Sequence, residues 1–320
     1  MSSFSDIIRE ELKVFDGVFR ESVKSHVPLL DRIMRYVVRT KGKQMRPMFV
    51  ILSARLYGQA SDSTYRAASL VELLHTATLV HDDVVDESPE RRGFFSVYAL
   101  WKSKVSVLVG DYLLAKGLLL SLDHDDFRIL QLMSRAVKQM SEGELLQLEK
   151  SRVLDLDEET YFTIIRNKTA SLLAAACAAG AYSTSGDLAE AERMREFGEW
   201  LGIAFQIKDD LFDYGTEDVG KPTGNDIREK KLTLPLIYTL ARCDKETRRK
   251  IIRILKSDRK TRAQIDEVIA IVVRTGGIGY AEQRMVEYRD QALRRLYEFP
   301  QSEIRSALED LVRYTTDRKN

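Results

Sequence analysis

The stretch "AASLVELLHTATLVHDDVVD", from Ala67 to Asp86, decides the fold. Its apolar residues recur at helical spacing on almost every side, which is typical of a helix at the centre of a bundle. The run ends in three aspartates, and two of them, Asp82 and Asp86, share one helix face because they are four residues apart. Acidic side chains are unfavourable at a helix C-terminus, so the cluster with Asp83 predicts a compensating cation.

The same spacing occurs a second time, in "FQIKDDLFDY", where Asp209, Asp210 and Asp213 follow the apolar run "FGEWLGIAF". A solvated helix end would explain one such motif. Two motifs, each ending a long apolar helix, favour a metal site. Carboxylates in this pattern suit Mg²⁺, which keeps several waters and bridges carboxylates to substrate phosphates. We therefore expect two facing carboxylate walls that hold Mg²⁺ and a diphosphate.

The helical period continues through the rest of the chain, and alternating strand patterns are nearly absent. With only 6 prolines and 17 glycines in 320 residues, and no long linker, the simplest prediction is a single all-α domain over residues 1–320. The predicted helices cover 4–22, 27–39, 45–57, 63–87, 96–122, 126–150, 158–182, 187–214, 231–242, 245–255, 261–274, 276–297 and 301–316.

Composition limits the partners and the compartment. The chain has 50 basic and 49 acidic residues, and this balance argues against a nucleic-acid binder. Cys177 and Cys243 stand in no metal-binding pattern, so we expect free thiols in a reducing cytoplasm. The N-terminus is polar and acidic and does not resemble a signal peptide. By eye, no uninterrupted apolar run spans the roughly 18 residues of a membrane helix, so no such span is expected.

Basic residues stand beside glycine, proline and the acidic motifs. Each alone is more typical of a solvated surface, but together they favour phosphate binding, because arginine presents a planar fork to phosphate oxygens and lysine a point charge. They are Lys43 and Arg46 in "KGKQMRP", Arg91 and Arg92 in "RRG", Lys168 beside Thr169 in "NKTAS", and Lys221, Lys230 and Lys231 in "GKPTGNDIREKKLTLP".

These motifs, with "GDYLLA" and "EGELLQLE" between them, resemble those of the trans-prenyltransferases, the polyprenyl diphosphate synthases, and especially long-chain members such as octaprenyl diphosphate synthase. The resemblance covers nearly the whole chain, although it is only general past about residue 243. It implies an all-α fold around a deep central cavity and a homodimer. It also implies about three Mg²⁺ ions and two substrates, isopentenyl diphosphate and an allylic diphosphate.

The resemblance also implies roles for particular residues. Asp82, Asp86 and Asp209 would be the Mg²⁺ ligands, supported by Asp83, Asp210 and Asp213. The allylic diphosphate would be bound by Arg91, Lys168 and Lys221, assisted by Lys231, and the isopentenyl diphosphate by Lys43, Arg46, His75 and Arg92. Gln206 and Thr169 would face the reacting carbons. One departure is Gln44, where the family usually has a basic residue. Without the motifs, His75 would be interpreted as a packed core histidine.

Product length should follow the depth of the cavity. Ala77 and Thr78, one turn before Asp82, are small, whereas bulky aromatics at these positions close the cavity in short-chain relatives. Leu118, Leu119 and Ser121 are candidates for a deeper floor. We therefore expect a long product for a quinone side chain. The alternatives are a farnesyl or geranylgeranyl diphosphate synthase and a non-catalytic subunit of a heteromeric synthase. A class I terpene cyclase is a further alternative, but it would lack Lys43, Arg46 and Arg92.

Overall fold

The structure is a computed structural model that describes residues 3–40, 42–154, 157–215 and 224–317. Most of the described residues are helical, with only two short strands among them, and the all-α prediction is confirmed. Strands β1 (Glu90–Arg91) and β2 (Phe94–Phe95) lie between α5 and α6, and a π-helical turn (Arg166–Ala170) joins α8 to α9. The helices are α1 (Ser3–Ile7), α2 (Arg9–Ser22), α3 (Pro28–Arg39), α4 (Met45–Arg55), α5 (Asp62–Val85), α6 (Val97–Leu122), α7 (Phe127–Val153), α8 (Glu158–Ile165), α9 (Ser171–Ser185), α10 (Leu188–Phe212), α11 (Asn225–Arg228), α12 (Leu234–Arg242), α13 (Lys245–Lys256), α14 (Arg262–Arg274), α15 (Gly277–Leu296) and α16 (Glu303–Thr316).

The first of two compact units comprises residues 1–137, 172–195 and 299–310. Helix α5 is at its centre, and α2, α4 and α6 pack against it. The helix begins where Ser61 and Thr64 each bind the other's backbone N–H through a side-chain oxygen, a capping box that satisfies two exposed donors. Phe15, Phe49 and Leu70 are among the side chains that are fully buried here. The apolar surface predicted on α5 is therefore covered by other helices of this unit.

The second unit comprises residues 138–171, 196–298 and 311–320. Its core is formed by aliphatic side chains of α10, α12 and α14, such as Ile207, Leu236 and Val272. Helix α12 packs against α8, α14 and α15. Most of the C-terminal third, for which the sequence offered only a general resemblance, thus completes the core of this unit.

Most predicted helix limits agree with the structure within a few residues, and the differences are local. The predicted helix 158–182 contains the π-helical turn, and the predicted helix 231–242 begins later, at Leu234, because Pro235 favours the first turn of a helix. Helix α11 and the hairpin of β1 and β2 were not predicted. Elements of two to four residues are too short to show a hydrophobic period.

Helix α6 is long and apolar enough, by length and composition alone, to cross a membrane, with a mean hydropathy of 1.7 over 18 residues. The sequence expectation that no run reaches this length missed it because Asp111 and Lys116 interrupt the run. About a third of the segment (33%) is buried, and the helix packs along α5. A core helix of a bundle can have the same length and composition.

Candidate active site

The first acidic motif closes α5 as predicted. The helix ends at Val85, and Asp86 is its C-cap residue. Asp82 and Asp86 are exposed, whereas Asp83 is buried with 2% exposure. Burial raises the pKa of Asp83, and the guanidinium of Arg91 opposes this through a 2.6 Å hydrogen bond from Nε to Oδ1. The motif thus divides into an exposed pair that can bind a cation and one inward carboxylate bound to arginine.

The hairpin after this motif positions two arginines. Arg91 lies in β1 and turns to Asp83, while Arg92 and Gly93 form the two-residue loop, with φ values of 55° and 77°. Positive φ at both positions is the geometry of a type I′ turn. A non-glycine residue in this region is strained, and such strain is frequent at functional sites.

Arg92 lies directly against Gly42 of "KGKQMRP". A Cβ placed on Gly42 would come within 2.4–3.0 Å of the guanidinium atoms of Arg92. Only a residue without a side chain leaves that space free. The two basic segments, "KGKQMRP" and "RRG", are therefore in contact, as a shared anion site requires. Lys43 is exposed beside Gly42.

His75 and Arg46 form the inner part of the same site. Nη1 of Arg46 is 2.9 Å from Nε2 of His75. A guanidinium can only donate, so Nε2 accepts and the neutral ring carries its proton on Nδ1. Burial and the nearby charges of Arg46, Arg92 and Arg91 lower the pKa of His75 well below its usual value of 6.5. The expected site for isopentenyl diphosphate therefore contains a neutral histidine that holds Arg46.

A cavity of about 60 Å³ opens among these groups in the first unit. Charged and polar side chains form one part of its wall, and Phe19, Tyr36 and Val80 contribute apolar surface. The polar lining includes Glu72, His75, Thr76, Asp83, Arg91 and Arg92. Gln44 adopts the left-handed conformation with φ 53°, and its amide lies 3.5 Å from Oδ1 of Asp16. Gln44, the residue that departs from the family pattern, thus has an acidic neighbour, and its neutral amide can donate a hydrogen bond to that carboxylate.

The second acidic motif ends α10 in the second unit. Asp210 is buried, and both of its oxygens accept hydrogen bonds, from the hydroxyl of Tyr161 at 2.6 Å and from Nε2 of Gln206 at 2.9 Å. Gln206 in turn accepts a 2.6 Å hydrogen bond from Thr169. Burial, and then the charge of Asp226, raise the pKa of Asp210 to about 7. Asp209, the expected ligand, is only partly buried.

Asp213 has a structural role that its place in the motif did not reveal. Its carboxylate accepts the backbone N–H groups of Asn225 at 2.8 Å and of Asp226 at 3.0 Å. These donors belong to the first turn of α11, so Asp213 stabilises the segment that carries Asp226. Its expected support of a metal ion stays a prediction.

Lys168 and Thr169 lie in the π-helical turn, a distortion that is frequent at functional sites. Glycines leave room for this turn on two sides. A Cβ on Gly143 of α7 would lie 2.7 Å from the backbone N of Lys168, and one on Gly202 of α10 would lie 2.5 Å from Cα of Ala170. These close approaches explain Gly143 in "EGELLQLE" and Gly202 in "FGEWLGIAF". They also place Lys168 Nζ 2.7 Å from Glu144.

A second cavity, of about 90 Å³, lies in the second unit. It is lined by most of the predicted polar residues of that unit and by others that the sequence reasoning missed, among them Tyr161, Gln147 and Asp226. Burial, followed by the charge of Asp213, raises the pKa of Asp226 to about 6. Lys231 lies 3.9 Å from Asp226 and 2.6 Å from Glu229. Asp226 could have been found from "GNDIREKK", since it is an acidic residue within a basic segment. Lys221 lies outside the described residues.

The proposed chain-length residues have different surroundings. Ala77 is fully buried, Ser121 is buried, and Thr78 is half-buried with its hydroxyl donating a 2.8 Å hydrogen bond to the carbonyl of His75. Leu118 is 43% exposed, on the outer face of α6. Its expected place in the floor of the cavity stays a prediction.

Metal binding is compatible with the donors that are present. Within the described ranges, no group of three or more His, Cys, Asp or Glu side chains is arranged to hold an ion by itself. Mg²⁺ does not require such a cage, since it commonly takes one or two carboxylates together with water and substrate phosphates. The exposed pair of Asp82 and Asp86 and the partly buried Asp209 are donors of this kind.

Comparison with known proteins decides the family. The polyprenyl synthetase family model matches residues 27–272, more than half of the chain. The chain belongs to the polyprenyl synthetase family. It is 37% identical, over 97% of its length and 96% of the relative, to the all-trans-nonaprenyl-diphosphate synthase (geranyl-diphosphate specific) of Rhodobacter capsulatus.

Two solved structures extend this result. A decaprenyl diphosphate synthase from Rhodobacter capsulatus superposes with a TM-score of 0.94 at 34% identity, covering 99% of this chain and 98% of that one. A geranylgeranyl pyrophosphate synthase from Bacteroides thetaiotaomicron gives a TM-score of 0.84 at 39% identity, covering 98% of both chains. The family resemblance inferred from the motifs is confirmed. The family includes both long-chain and short-chain enzymes at similar distances from this chain.

Proposed function

We propose that this polyprenyl synthetase joins isopentenyl diphosphate to an allylic diphosphate and makes an all-trans polyprenyl diphosphate of long chain. The strongest single support is the cavity of the first unit, where Arg91, Arg92 and neutral His75 form one wall. The exposed aspartates Asp82 and Asp86 end the helix that also carries His75. Cations for a diphosphate and carboxylates for a metal are thus supplied by neighbouring segments.

The carboxylates of Asp82, Asp86 and Asp209 would hold Mg²⁺, about three ions in all. Bound Mg²⁺ would supply Lewis-acid stabilisation of the diphosphate that leaves the allylic substrate. The carbon–oxygen bond of that substrate breaks, and the double bond of isopentenyl diphosphate attacks the allylic cation. A proton is then lost, and the released diphosphate is the proposed acceptor. Asp83, Asp210 and Asp213 would support these ligands.

The basic side chains divide between the two substrates. Lys43, Arg46 and Arg92 would bind the diphosphate of isopentenyl diphosphate, and His75 would keep Arg46 in place. Arg91, Lys168 and Lys221, with Lys231, would bind the allylic diphosphate. In this proposal, Lys168 would release Glu144 and pair with the allylic diphosphate. Thr169 and Gln206 would border the reacting carbons. Apolar walls such as Val80 keep water away from the cation.

A long product is supported by small side chains and by relatives. Ala77 and Thr78 leave room beside the helix that ends in the first motif, and no aromatic side chain closes that position. The nonaprenyl and decaprenyl synthases of Rhodobacter capsulatus are long-chain enzymes by name. A short-chain product is the second candidate, because the geranylgeranyl pyrophosphate synthase of Bacteroides thetaiotaomicron is also similar to this chain.

A single domain and a homodimer complete the proposal. Several apolar side chains of α6 are exposed, among them Val107, Leu108, Leu118 and Leu119. Val107 and Leu118 are eleven residues apart, as are Leu108 and Leu119, so the four lie on one helix face. A second copy that covers this face would bury them and would also enclose Leu118. The free thiols of Cys177 and Cys243 fit a cytoplasmic location, because a reducing compartment preserves them.

Chromatography of the products formed from labelled isopentenyl diphosphate tests the function directly. With an allylic starter and Mg²⁺, we expect a ladder of polyprenyl diphosphates that ends at a long chain. A ladder that stops at farnesyl or geranylgeranyl diphosphate would establish the short-chain alternative. Products formed without isopentenyl diphosphate would indicate a terpene cyclase. Activity that depends on a second, different chain would indicate a non-catalytic subunit.

A further inference from the structure

The second unit carries a concentration of positive charge that the proposed reaction does not use. Residues 242–262, "RCDKETRRKIIRILKSDRKTR", contain ten basic and three acidic residues, a net charge of +7. The whole chain carries +1, so the other 299 residues together carry −6. This segment therefore differs strongly in charge from the rest of the molecule.

Helix α13 arranges this charge on one exposed face. Lys245, Arg249 and Arg253 follow one another at intervals of four residues, and Lys256 comes one turn later. All four are exposed. The apolar residues on the opposite side, Ile251, Ile254 and Leu255, are buried. We call Lys245, Arg249, Arg253 and Lys256 the basic face of α13, which is roughly 17 Å long at 1.5 Å per residue.

The basic face is not neutralised within the described part of the chain. None of its four residues forms an ion pair there, in contrast to Lys250, which pairs with Glu267, and Arg262, which pairs with Asp266. Like charges four residues apart destabilise a helix. Helix α13 tolerates two such pairs, Lys245 with Arg249 and Arg249 with Arg253. An external anionic surface would offset this repulsion.

We propose that the basic face of α13 docks the enzyme on a bilayer that contains anionic lipid. The face is a straight row on a convex helix, and neither of the two cavities described above includes it. A flat array of anionic headgroups suits such a row better than a single phosphate does. Clusters of four to eight Lys and Arg on a helix are typical of this interaction.

Two observations favour a bilayer over nucleic acid. Helix α13 contains no aromatic side chain on which bases could stack and no asparagine or glutamine that could read adenine. The choice of partner also rests on the proposed function, because a long polyprenyl product is a hydrocarbon that must leave water for a membrane. Because the apolar residues of α13 are buried, only its charged side chains can contact the bilayer. Binding should therefore depend steeply on salt concentration.

Sedimentation of the full chain with lipid vesicles tests this proposal. The vesicles are phosphatidylcholine alone or phosphatidylcholine with about a third phosphatidylglycerol. We expect binding only to the anionic vesicles, and we expect it to disappear between about 0.1 M and about 1 M salt. Each basic residue near an anionic surface contributes roughly a factor of five, so the triple variant Arg249→Gln, Arg253→Gln, Lys256→Gln should bind about 100-fold more weakly.

A matched control separates the basic face from net charge. Arg135, Arg274 and Arg294 are exposed arginines elsewhere in the chain, and their combined replacement by Gln removes the same charge. This control should bind within about twofold of the wild type. The first variant removes repulsion between like charges and also the favourable interaction of Arg253 and Lys256 with the helix C-terminus. These effects oppose each other, so its melting temperature should change little, and its prenyl transfer without lipid should match the wild type.

The remaining outcomes have distinct meanings. The proposal is wrong if the wild type does not sediment with anionic vesicles or if both triple variants bind equally well. Tighter binding to duplex DNA than to the vesicles, at the same salt, would assign the face to nucleic acid instead. Vesicle binding requires no catalysis. A protein that binds vesicles as expected but transfers no prenyl group would therefore contradict the proposed function and not this inference.

Discussion

The hydroxyl of Tyr161 donates a 2.6 Å hydrogen bond to Oδ2 of Asp210, and both residues are buried. Gln206 binds the other oxygen of the same carboxylate. Burial raises the pKa of Asp210, and the two hydrogen bonds oppose that rise. Tyr161 therefore helps to fix the position and the charge of the middle aspartate in the second acidic motif. Tyr161, which lies two helical turns before Lys168 in the sequence, thereby supports a motif on another helix.

We expect Tyr161→Phe to lower the free energy of unfolding by about 1–3 kcal/mol, because it leaves a buried carboxylate oxygen without its donor. A double-mutant cycle with Asp210→Ala, measured by denaturant unfolding, should give a coupling energy of about 0.5–3 kcal/mol. Tyr288→Phe is the matched control, since its ring packs on Phe162 in the same unit. If the coupling energy between Tyr288 and Asp210 were as large as that between Tyr161 and Asp210, the role of Tyr161 would be contradicted.

The proposed metal ligands should matter for catalysis and not for folding. We expect Asp82→Ala and Asp209→Ala each to reduce turnover by about two orders of magnitude or more, because each removes a metal-held contact to the leaving diphosphate. The melting temperature should change little, since neither side chain is fully buried. Glu282→Ala, at another exposed position, should leave turnover unchanged. Full turnover in excess EDTA would refute the metal hypothesis.

The motifs that carry the site were predictable from sequence because their spacing reflects local helix geometry. Asp82 and Asp86 share an exposed face because they are four residues apart, and this spacing can be counted along the chain. Contacts between distant segments were not predictable in the same way. The pairs Tyr161–Asp210 and Gly42–Arg92 are separated by about fifty residues each, and nothing in their local sequence specifies them. The π-helical turn also depends on tertiary packing, against Gly143 and Gly202.

The contact between Gly42 and Arg92 gives a test of the anion site. We expect Arg92→Ala and Lys43→Ala to raise the KM for isopentenyl diphosphate by roughly tenfold or more, because each deletes a charge-assisted contact worth about 1.5–3 kcal/mol. Gly42→Ala should raise the same KM, since its Cβ would displace the guanidinium of Arg92. Steady-state kinetics with both substrates would reject the assignment if only the KM for the allylic substrate increased.

The Gly42 effect should also depend on Arg92. If Gly42→Ala acts by moving that side chain, it should add almost nothing in the Arg92→Ala background. Independent effects of the two substitutions on KM would mean that Gly42 acts on another part of the site.

His75 should make stability depend on pH. Its pKa is lowered well below 6.5 in the folded protein, so the unfolded chain takes up this proton first as the pH falls below about 6.5. Stability is therefore lost on acidification, with a slope of up to about 1.4 kcal/mol per pH unit from this group. We expect His75→Gln to make the free energy of unfolding depend less on pH between about pH 5 and about pH 6.5, as measured by denaturant unfolding. The control His26→Gln, at an exposed position, should leave this dependence unchanged. Equal slopes in His75→Gln and the wild type would contradict this account.

Thr78 provides the test of product length. It lies four residues before Asp82 and so shares its helix face, and it is only half-buried, whereas Ala77 is fully buried. A phenylalanine at position 77 would overpack the core at a cost of about 1–3 kcal/mol, so position 78 is the better place for a ring.

We expect Thr78→Phe to shorten the product to roughly three or four isoprene units, because the ring would fill the channel while the diphosphate chemistry continues. Thr78→Val is the matched control: it removes the hydroxyl that binds the His75 carbonyl and adds no ring, so its product should keep the wild-type length. Chromatography of the labelled products compares the three proteins. If Thr78→Phe gives the wild-type ladder, the growing chain does not pass this face of α5, and the length must be set elsewhere.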